Sequence, residues 1–144
     1  MRKGRCSESG RIYHLRTSTA RREPLVADLF LGREVVAALR HQHQQGAVLS
    51  LAFVVMPDHL HWLVQLRGDT SLDRLMRAVK GFSAHCINER LQRRGAVWQE
   101  GYFDRALRAE DDVRAIARYI VANPLRAELC GDIGAYPLWD AIWV

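Results

Sequence analysis

The 144-residue sequence has little cysteine, almost no lysine, few prolines and no long apolar run. Each scarcity removes a class of protein. Three cysteines, Cys6, Cys86 and Cys130, are odd in number and share no CxxC spacing, which suggests neither a disulfide framework nor a thiolate zinc site. They read as reduced thiols. No stretch reaches the roughly 18 apolar residues of a membrane-spanning helix, so no membrane partner is expected. The basic start Met1-Arg2-Lys3-Gly4-Arg5-Cys6 is followed by no apolar run, which argues against a secretory signal and makes the cytoplasm the expected compartment. No Pro/Gly/Ser linker, low-complexity tract or internal repeat divides the chain. One domain is expected over residues 1–144, a length that suits a single core.

Of the 21 basic residues 19 are arginine, Lys3 and Lys80 being the others, and the net charge is +5. Guanidinium forks match phosphates bidentately, so the excess points to a polyanionic partner. An ordinary basic surface, or a genome that favours arginine codons, explains it equally well. The distribution is more informative: residues 1–50 hold 9 basic and 4 acidic side chains, residues 67–108 hold 9 and 5, and residues 109–144 hold 3 and 6. The first two segments are the expected polyanion-facing parts.

Local patterns predict an order β-α-β-β-α-β-α. Residues 11–17 alternate loosely as a first strand. Asp28 is placed to cap a helix running to about Gln45, with Leu29, Val35, Val36 and Leu39 inward and Gly46 as its stop. The apolar run Ala47–Met56 fits a central strand buried on both faces, and Pro57-Asp58 turns it into a second strand over His59–Leu66. Ser71 caps the next helix, which buries Leu72, Leu75, Met76, Val79, Phe82, Cys86, Ile87 and Leu91. Val97–Arg108 is turn-like around Gly101 and then strand-like. Glu110-Asp111-Asp112 opens a last helix, acidic at its positive dipole end, and Pro124 stops it near Asn123. The expected fold is therefore α+β, a ferredoxin-like antiparallel sheet with flanking helices.

Two features carry chemistry. In His59-Leu60-His61 the strand period of two sends both imidazoles to one face and Leu60 into the core, a geometry for two nitrogen ligands on one divalent metal. Surface or hydrogen-bonded histidines are the plain alternative. On the last helix, at 100° per residue, Val113, Ile116, Ala117, Ile120 and Val121 form an apolar stripe, and Tyr119 lies roughly 130° from its centre. Asn123 follows one turn later on the same flank. Alone, Tyr119 reads as a snorkelling surface tyrosine and Asn123 as a helix C-terminal residue. Taken with the histidines they suggest a metal held by neutral ligands, polarising a phosphodiester while the tyrosine attacks phosphorus. A free tyrosine titrates at about pH 10 and needs a base, for which Asp112, two turns earlier on that flank, is the one candidate.

Met56-Pro57-Asp58-His59-Leu60-His61 resembles the HUH motif of single-tyrosine transposases, and Arg118-Tyr119-Ile120-Val121-Ala122-Asn123-Pro124-Leu125-Arg126-Ala127 resembles their tyrosine-helix segment. Val97-Trp98-Gln99-Glu100-Gly101-Tyr102-Phe103-Asp104 and Tyr136-Pro137-Leu138-Trp139 are similar to segments of the REP-associated tyrosine transposases. The likeness runs from about Gly10 onward. It implies an HUH-type fold and a single-strand DNA endonuclease and strand transferase, using Mg²⁺ or Mn²⁺ on hairpins formed by repetitive extragenic palindromes. It also implies His59, His61 and Asn123 as metal ligands and Tyr119 as the nucleophile forming a 5′-phosphotyrosine. Where relatives often carry His after the Asp of the Trp-Gln segment, this chain has Arg105. Met1 to Gly10 match no guide-reading pattern. As DNA contacts, Arg74, Arg77, Lys80, Arg105 and Arg108 are expected on phosphates and Trp98 on an unpaired base. The alternative for each is a solvated arginine face and a core tryptophan.

The leading expectation is a transposase acting as a monomer, with a dimer possible because some relatives share one site between subunits. Its rival in another class is a non-catalytic module, derived from a transposase, that only holds hairpin DNA. A replication initiator or relaxase is disfavoured by the short chain and the Trp-Gln and Tyr-Pro-Leu-Trp segments. An RNA-end phosphodiesterase would need a second histidine motif, which this sequence lacks.

Overall fold

The computed structural model describes residues 7–108 and 111–142. Cys6, Glu110 and most of the Met1–Gly10 segment, each given a role from sequence, lie outside the described residues. Five strands form one antiparallel sheet: β1 Ile12–Ser18, β2 Val48–Met56, β3 His59–Leu66, β4 Phe103–Ala106 and β5 Trp139–Ala141. Their order across the sheet is β4-β1-β3-β2-β5, a ferredoxin-like arrangement with one added edge strand. The helices are α1 Leu29–Gln44, α2 Leu72–Leu91, α3 Val113–Val121 and the one-turn α4 Asn123–Arg126, with short 3₁₀ turns at Ala20–Arg22, Leu25–Ala27 and Ile133–Ala135. No described helix is long and apolar enough to cross a membrane.

The caps predicted from sequence at Asp28 and Ser71 are in place, and Asp112, expected only to put acidic charge at a helix start, is a third. The Asp28 carboxylate accepts from the Phe30 and Leu31 amides, Ser71 Oγ from the Arg74 amide, and Asp112 Oδ1 from the Ala115 amide. Each satisfies donors that the first helical turn leaves orphaned.

The sheet lies between two helical layers, and β3 is its central strand. Leu60, Trp62, Val64 and Leu66 pack with Val35 and Leu39 of α1 and Leu75, Met76 and Val79 of α2. On the other face Leu63 joins Val54 and Met56 of β2 beneath Ala117, Ile120 and Val121 of α3. Two helical layers explain why β2 reads as a continuous apolar run. A register shift between Ser50 and Ala52 inserts Leu51 as a bulge. The alternation of β2 therefore changes phase there, putting Leu51 and Ala52 in the α3-side cluster while Ser50 Oγ accepts from Trp62 Nε1 on the other side.

Three expectations are corrected. Along α2, Phe82 and Leu91 are 50% and 40% exposed and Cys86 is only half-buried. The inward stripe runs 72, 75, 76, 79, 83, 87, so Ser83 takes the place hydrophobicity alone gave to Phe82. Ser83 Oγ donates to the Val79 carbonyl and accepts from Trp98 Nε1, which makes a polar residue tolerable there. Secondly, α3 stops just before Asn123 as expected, at Val121, but Pro124 does not end helical structure: a one-turn α4 follows with Pro124 in its first turn. Thirdly, the three-residue β5 is too short to show alternation in sequence. It pairs with β2, and the preceding segment is stapled to that strand by the Val55 amide donating to the Leu138 carbonyl and Tyr136 Oη donating to the Val55 carbonyl. Burial holds the Tyr136 phenol up at about 12. Leu138 fills a notch at Gly32, where an added Cβ would run into Leu138 Cδ1 and force that side chain to move. The Tyr-Pro-Leu-Trp segment is thus a packing device.

Ser83→Ala strips the buried Trp98 indole of its acceptor and is expected to lower stability by about 1–3 kcal/mol in urea unfolding. A change inside about 0.5 kcal/mol, the size of a neutral surface substitution, would show that the pair does not hold α2 to the 97–99 segment.

Candidate active site

His59 and His61 point to the α3 side of the sheet, two residues from Leu63 in the α3-side cluster. Their rings lie 5.0 Å apart, centroid to centroid, edge to face. His59 is partly covered and His61 only 9% exposed, so the pair is recessed. The hairpin turn holds the first ring: His59 Nδ1 lies 2.7 Å from Asp58 Oδ1, and Arg22 Nε donates to Asp58 Oδ2 at 3.0 Å. Burial works against the Asp58 carboxylate, but hydrogen bonds from His59 and Arg22 outweigh it and keep its pKa below the usual value. Arg22 reaches this position from a turn in which Arg21 and Arg22 both have φ of 55°, a left-handed region that side-chain-bearing residues rarely occupy. Thr19 braces that turn, its Oγ1 donating to the Glu23 and Asp58 carbonyls.

A third imidazole, which the sequence reading missed, completes the cluster. His14 on β1 stacks on His61 with centroids 5.2 Å apart, and His14 Nε2 lies 3.0 Å from His61 Nδ1. One of these nitrogens donates and the other accepts. Burial depresses His14 to about 4, helped by Arg16 and Arg105. Burial likewise depresses His61 to about 3, helped by His14, His59, Arg16 and Arg126. Both rings are neutral at neutral pH. The only sequence signal for His14 is its place two residues before Arg16 in the alternation of β1; its nearness to His61 needs the β1–β3 pairing.

These contacts bear on whether a cation fits. A carboxylate can only accept from His59 Nδ1, which leaves the Nε2 lone pair of neutral His59 open, and the His61 Nε2 lone pair is open in the tautomer whose Nδ1 donates to His14. Among the described residues no group of three or more His, Cys, Asp or Glu side chains is gathered for a metal, so the available donors are two imidazoles and whatever neutral ligand α3 and α4 bring. Asn123 is there. Its Nδ2 donates to the Ile120 carbonyl at 2.8 Å, the bond that the missing N–H of Pro124 would have made. Oδ1 remains as the amide's oxygen acceptor.

Tyr119 is 64% exposed on α3, as its angular position predicts. The Arg126 guanidinium of α4 lies 3.8 Å from its ring centroid, and the same cation contributes to the depression of His61. Arg126 therefore contacts the tyrosine ring directly and acts on His61 as the weakest of the charges that depress it. It was quoted from sequence without a role; its signal is its position seven residues, two turns, beyond Tyr119. Asp112 is occupied as the cap of α3, so it is not a free base.

The expected DNA contacts divide. Trp98 is 7% exposed with its indole on Ser83, which is the core alternative, so it offers no stacking face. Lys80 is half-buried, and its Nζ donates to the Gln99 and Gly101 carbonyls at 2.6 and 2.7 Å, so its charge braces a loop; burial lowers its pKa. Arg74 and Arg77 are exposed on α2, the helix that covers the face away from the histidines. Arg105 is half-exposed on β4, opposite His14 in register, with Asp111 Oδ2 3.7 Å away. The Arg108 amide donates to the same Asp111 oxygen, and its side chain is exposed.

Comparison with known proteins agrees with this architecture. A structure of a REP-associated tyrosine transposase bound to a REP hairpin superposes with a TM-score of 0.78 over 96% of this chain and 81% of that one, at 20% sequence identity. A putative transposase from Deinococcus radiodurans R1 gives 0.58 over 85% and 97%, at 25% identity. Curated protein sequences give no match. The family model for IS200-like transposases matches residues 7–123, a span that takes in the histidine pair, Tyr119 and Asn123. The chain belongs to the IS200-like transposase family.

Proposed function

We propose that this transposase is a metal-dependent single-stranded DNA endonuclease and strand transferase that acts on palindromic hairpin DNA through Tyr119. The observation that carries the proposal is the shared face: within one chain the paired histidines of β3 and the helix bearing Tyr119 lie on the same side of the sheet. That arrangement supports a site assembled in a single copy. The hairpin substrate is suggested by the REP-bound relative of the same fold.

Nε2 of His59, Nε2 of His61 and Oδ1 of Asn123 would hold the ion, Mg²⁺ or Mn²⁺. When bound it supplies a Lewis acid for phosphate oxygens. Tyr119 Oη forms the new bond to phosphorus as the bond to the 3′ oxygen breaks. The phenol proton passes to water and the departing oxygen takes one up as a 3′-hydroxyl, leaving a 5′-phosphotyrosine. Attack by a second strand's 3′-hydroxyl reverses these bond changes and restores the phenol. Arg126 holds a fixed positive charge against the Tyr119 ring, where negative charge develops on the phenol and the phosphoryl oxygens. His14 and Asp58 hold the two imidazoles in orientation through contacts to their Nδ1 atoms.

With Mg²⁺ and a labelled hairpin oligonucleotide carrying single-stranded arms, the protein is expected to form a denaturation-resistant adduct that Tyr119→Phe abolishes. Tight hairpin binding by the wild type with no adduct under any divalent ion would establish the non-catalytic module instead. His59→Ala combined with His61→Ala, or chelation by EDTA, should eliminate cleavage while gel-shift affinity is largely kept, because phosphate contacts dominate binding; parallel loss of both would assign the pair a structural role. Arg126→Gln should slow adduct formation by about 10²–10³-fold, the effect of removing one preorganised charge-stabilising donor. An unchanged single-turnover rate would take Arg126 out of the reaction.

A further inference from the structure

The sheet face that carries the histidines continues outward to an aromatic residue that nothing in the core explains. In the antiparallel register Phe103 of β4 lies opposite Arg16 of β1, and Arg16 lies opposite His61 of β3. One cross-strand row therefore runs Phe103, Arg16, His61. With strands about 4.8 Å apart, Phe103 stands two strands from the candidate metal ligand, on the same side of the sheet. Its ring is 48% exposed. It is also held: His14 meets it edge-on with centroids 6.3 Å apart, and the Arg16 guanidinium lies 5.4 Å from its centroid. Arg16 is the exposed side chain of β1, and among the described residues no carboxylate pairs with it. A groove of about 350 Å³ opens beside the pair where Gly101 and Tyr102 loop away from β1.

An oriented, half-exposed ring beside an unneutralised arginine is the combination that takes a base face and its phosphate together. Its position in the histidine row makes it continuous with the candidate active site. We propose that Phe103 and Arg16 form a seat for one unpaired nucleotide of single-stranded DNA flanking the scissile phosphate, the base stacking on Phe103 and its phosphate meeting Arg16. This assignment rests on the endonuclease reading above and adds a nucleotide subsite to it.

The test measures binding without cleavage, using Tyr119→Phe protein in EDTA and a palindromic hairpin with oligothymidylate arms on both sides. Phe103→Ala should weaken binding by about 5- to 150-fold, the range for losing one base–aromatic stack. Phe103→Trp should preserve affinity, and Phe82→Ala, an equally exposed phenylalanine on α2, should leave it unchanged. Abasic replacement along the arms should find one position whose loss matches that of Phe103→Ala and is absent when combined with it. Arg16→Gln should reduce the slope of log affinity against log salt by about 1. Thermal unfolding of each variant checks that the fold persists. The subsite is overturned if Phe103→Ala binds as the parent does, or if its loss is independent of every abasic position. Failure of the parent protein to bind the hairpin at all would overturn the endonuclease reading along with it.

Discussion

The central strand has no solvent face, and its period of two decides what the rest of the molecule must supply. One set of its side chains, from Leu60 through Trp62 and Val64 to Leu66, is covered by α1 and α2. The other set starts with His59 and His61 and continues to Leu63 beneath α3. Polar groups on that second set sit where water is largely excluded, so each needs a partner. Asp58 and His14 are those partners. Where each Nδ1 is the donor in these contacts, the Nε2 lone pair stays open, so the bonds that make the histidines tolerable in the fold are compatible with the proposed ligand role.

The two faces have separated labour. The α1–α2 side is a conventional core, closed by Leu138 against Gly32 and by the Trp98–Ser83 hydrogen bond. The α3 side carries the exposed side chains of the proposed sites, Tyr119, Arg126, Arg16 and Phe103. This division gives the charge distribution its meaning. Arginine-rich α2 lies over the opposite face, whereas the cations acting on the histidines, Arg16, Arg105 and Arg126, come from β1, β4 and α4. One of the three follows residue 109, in the segment that is acidic on average. Segment totals therefore misplace the cations that matter. Their placement depends on strand pairing and on the turn after Pro124.

Pro124 shows how a local constraint can serve a site. Its missing N–H leaves the Ile120 carbonyl without a helical donor, and the Asn123 amide fills the gap. That bond fixes which end of the amide is spent, and α4 continues far enough to lay Arg126 on Tyr119. An interruption that sequence rules read as a stop thus joins the nucleophile candidate to a cation.

Much of this was legible in the sequence because it is short-range. The caps at Asp28 and Ser71, the acidic start of α3, the hairpin at Pro57-Asp58, the common direction of His59 and His61, and the exposure of Tyr119 all follow from helical and strand periods over a few residues. Tertiary structure decided the rest. Ser83 rather than Phe82 faces inward because an indole 15 residues away needs an acceptor. Lys80 and Trp98 were drawn inward by partners that no periodicity reveals. His14 reaches His61 across 47 residues, and Phe103 joins the histidine row through two strand pairings. Period and capping are properties of neighbours along the chain. A site is a property of neighbours in space, and for this protein the sheet register made those neighbours.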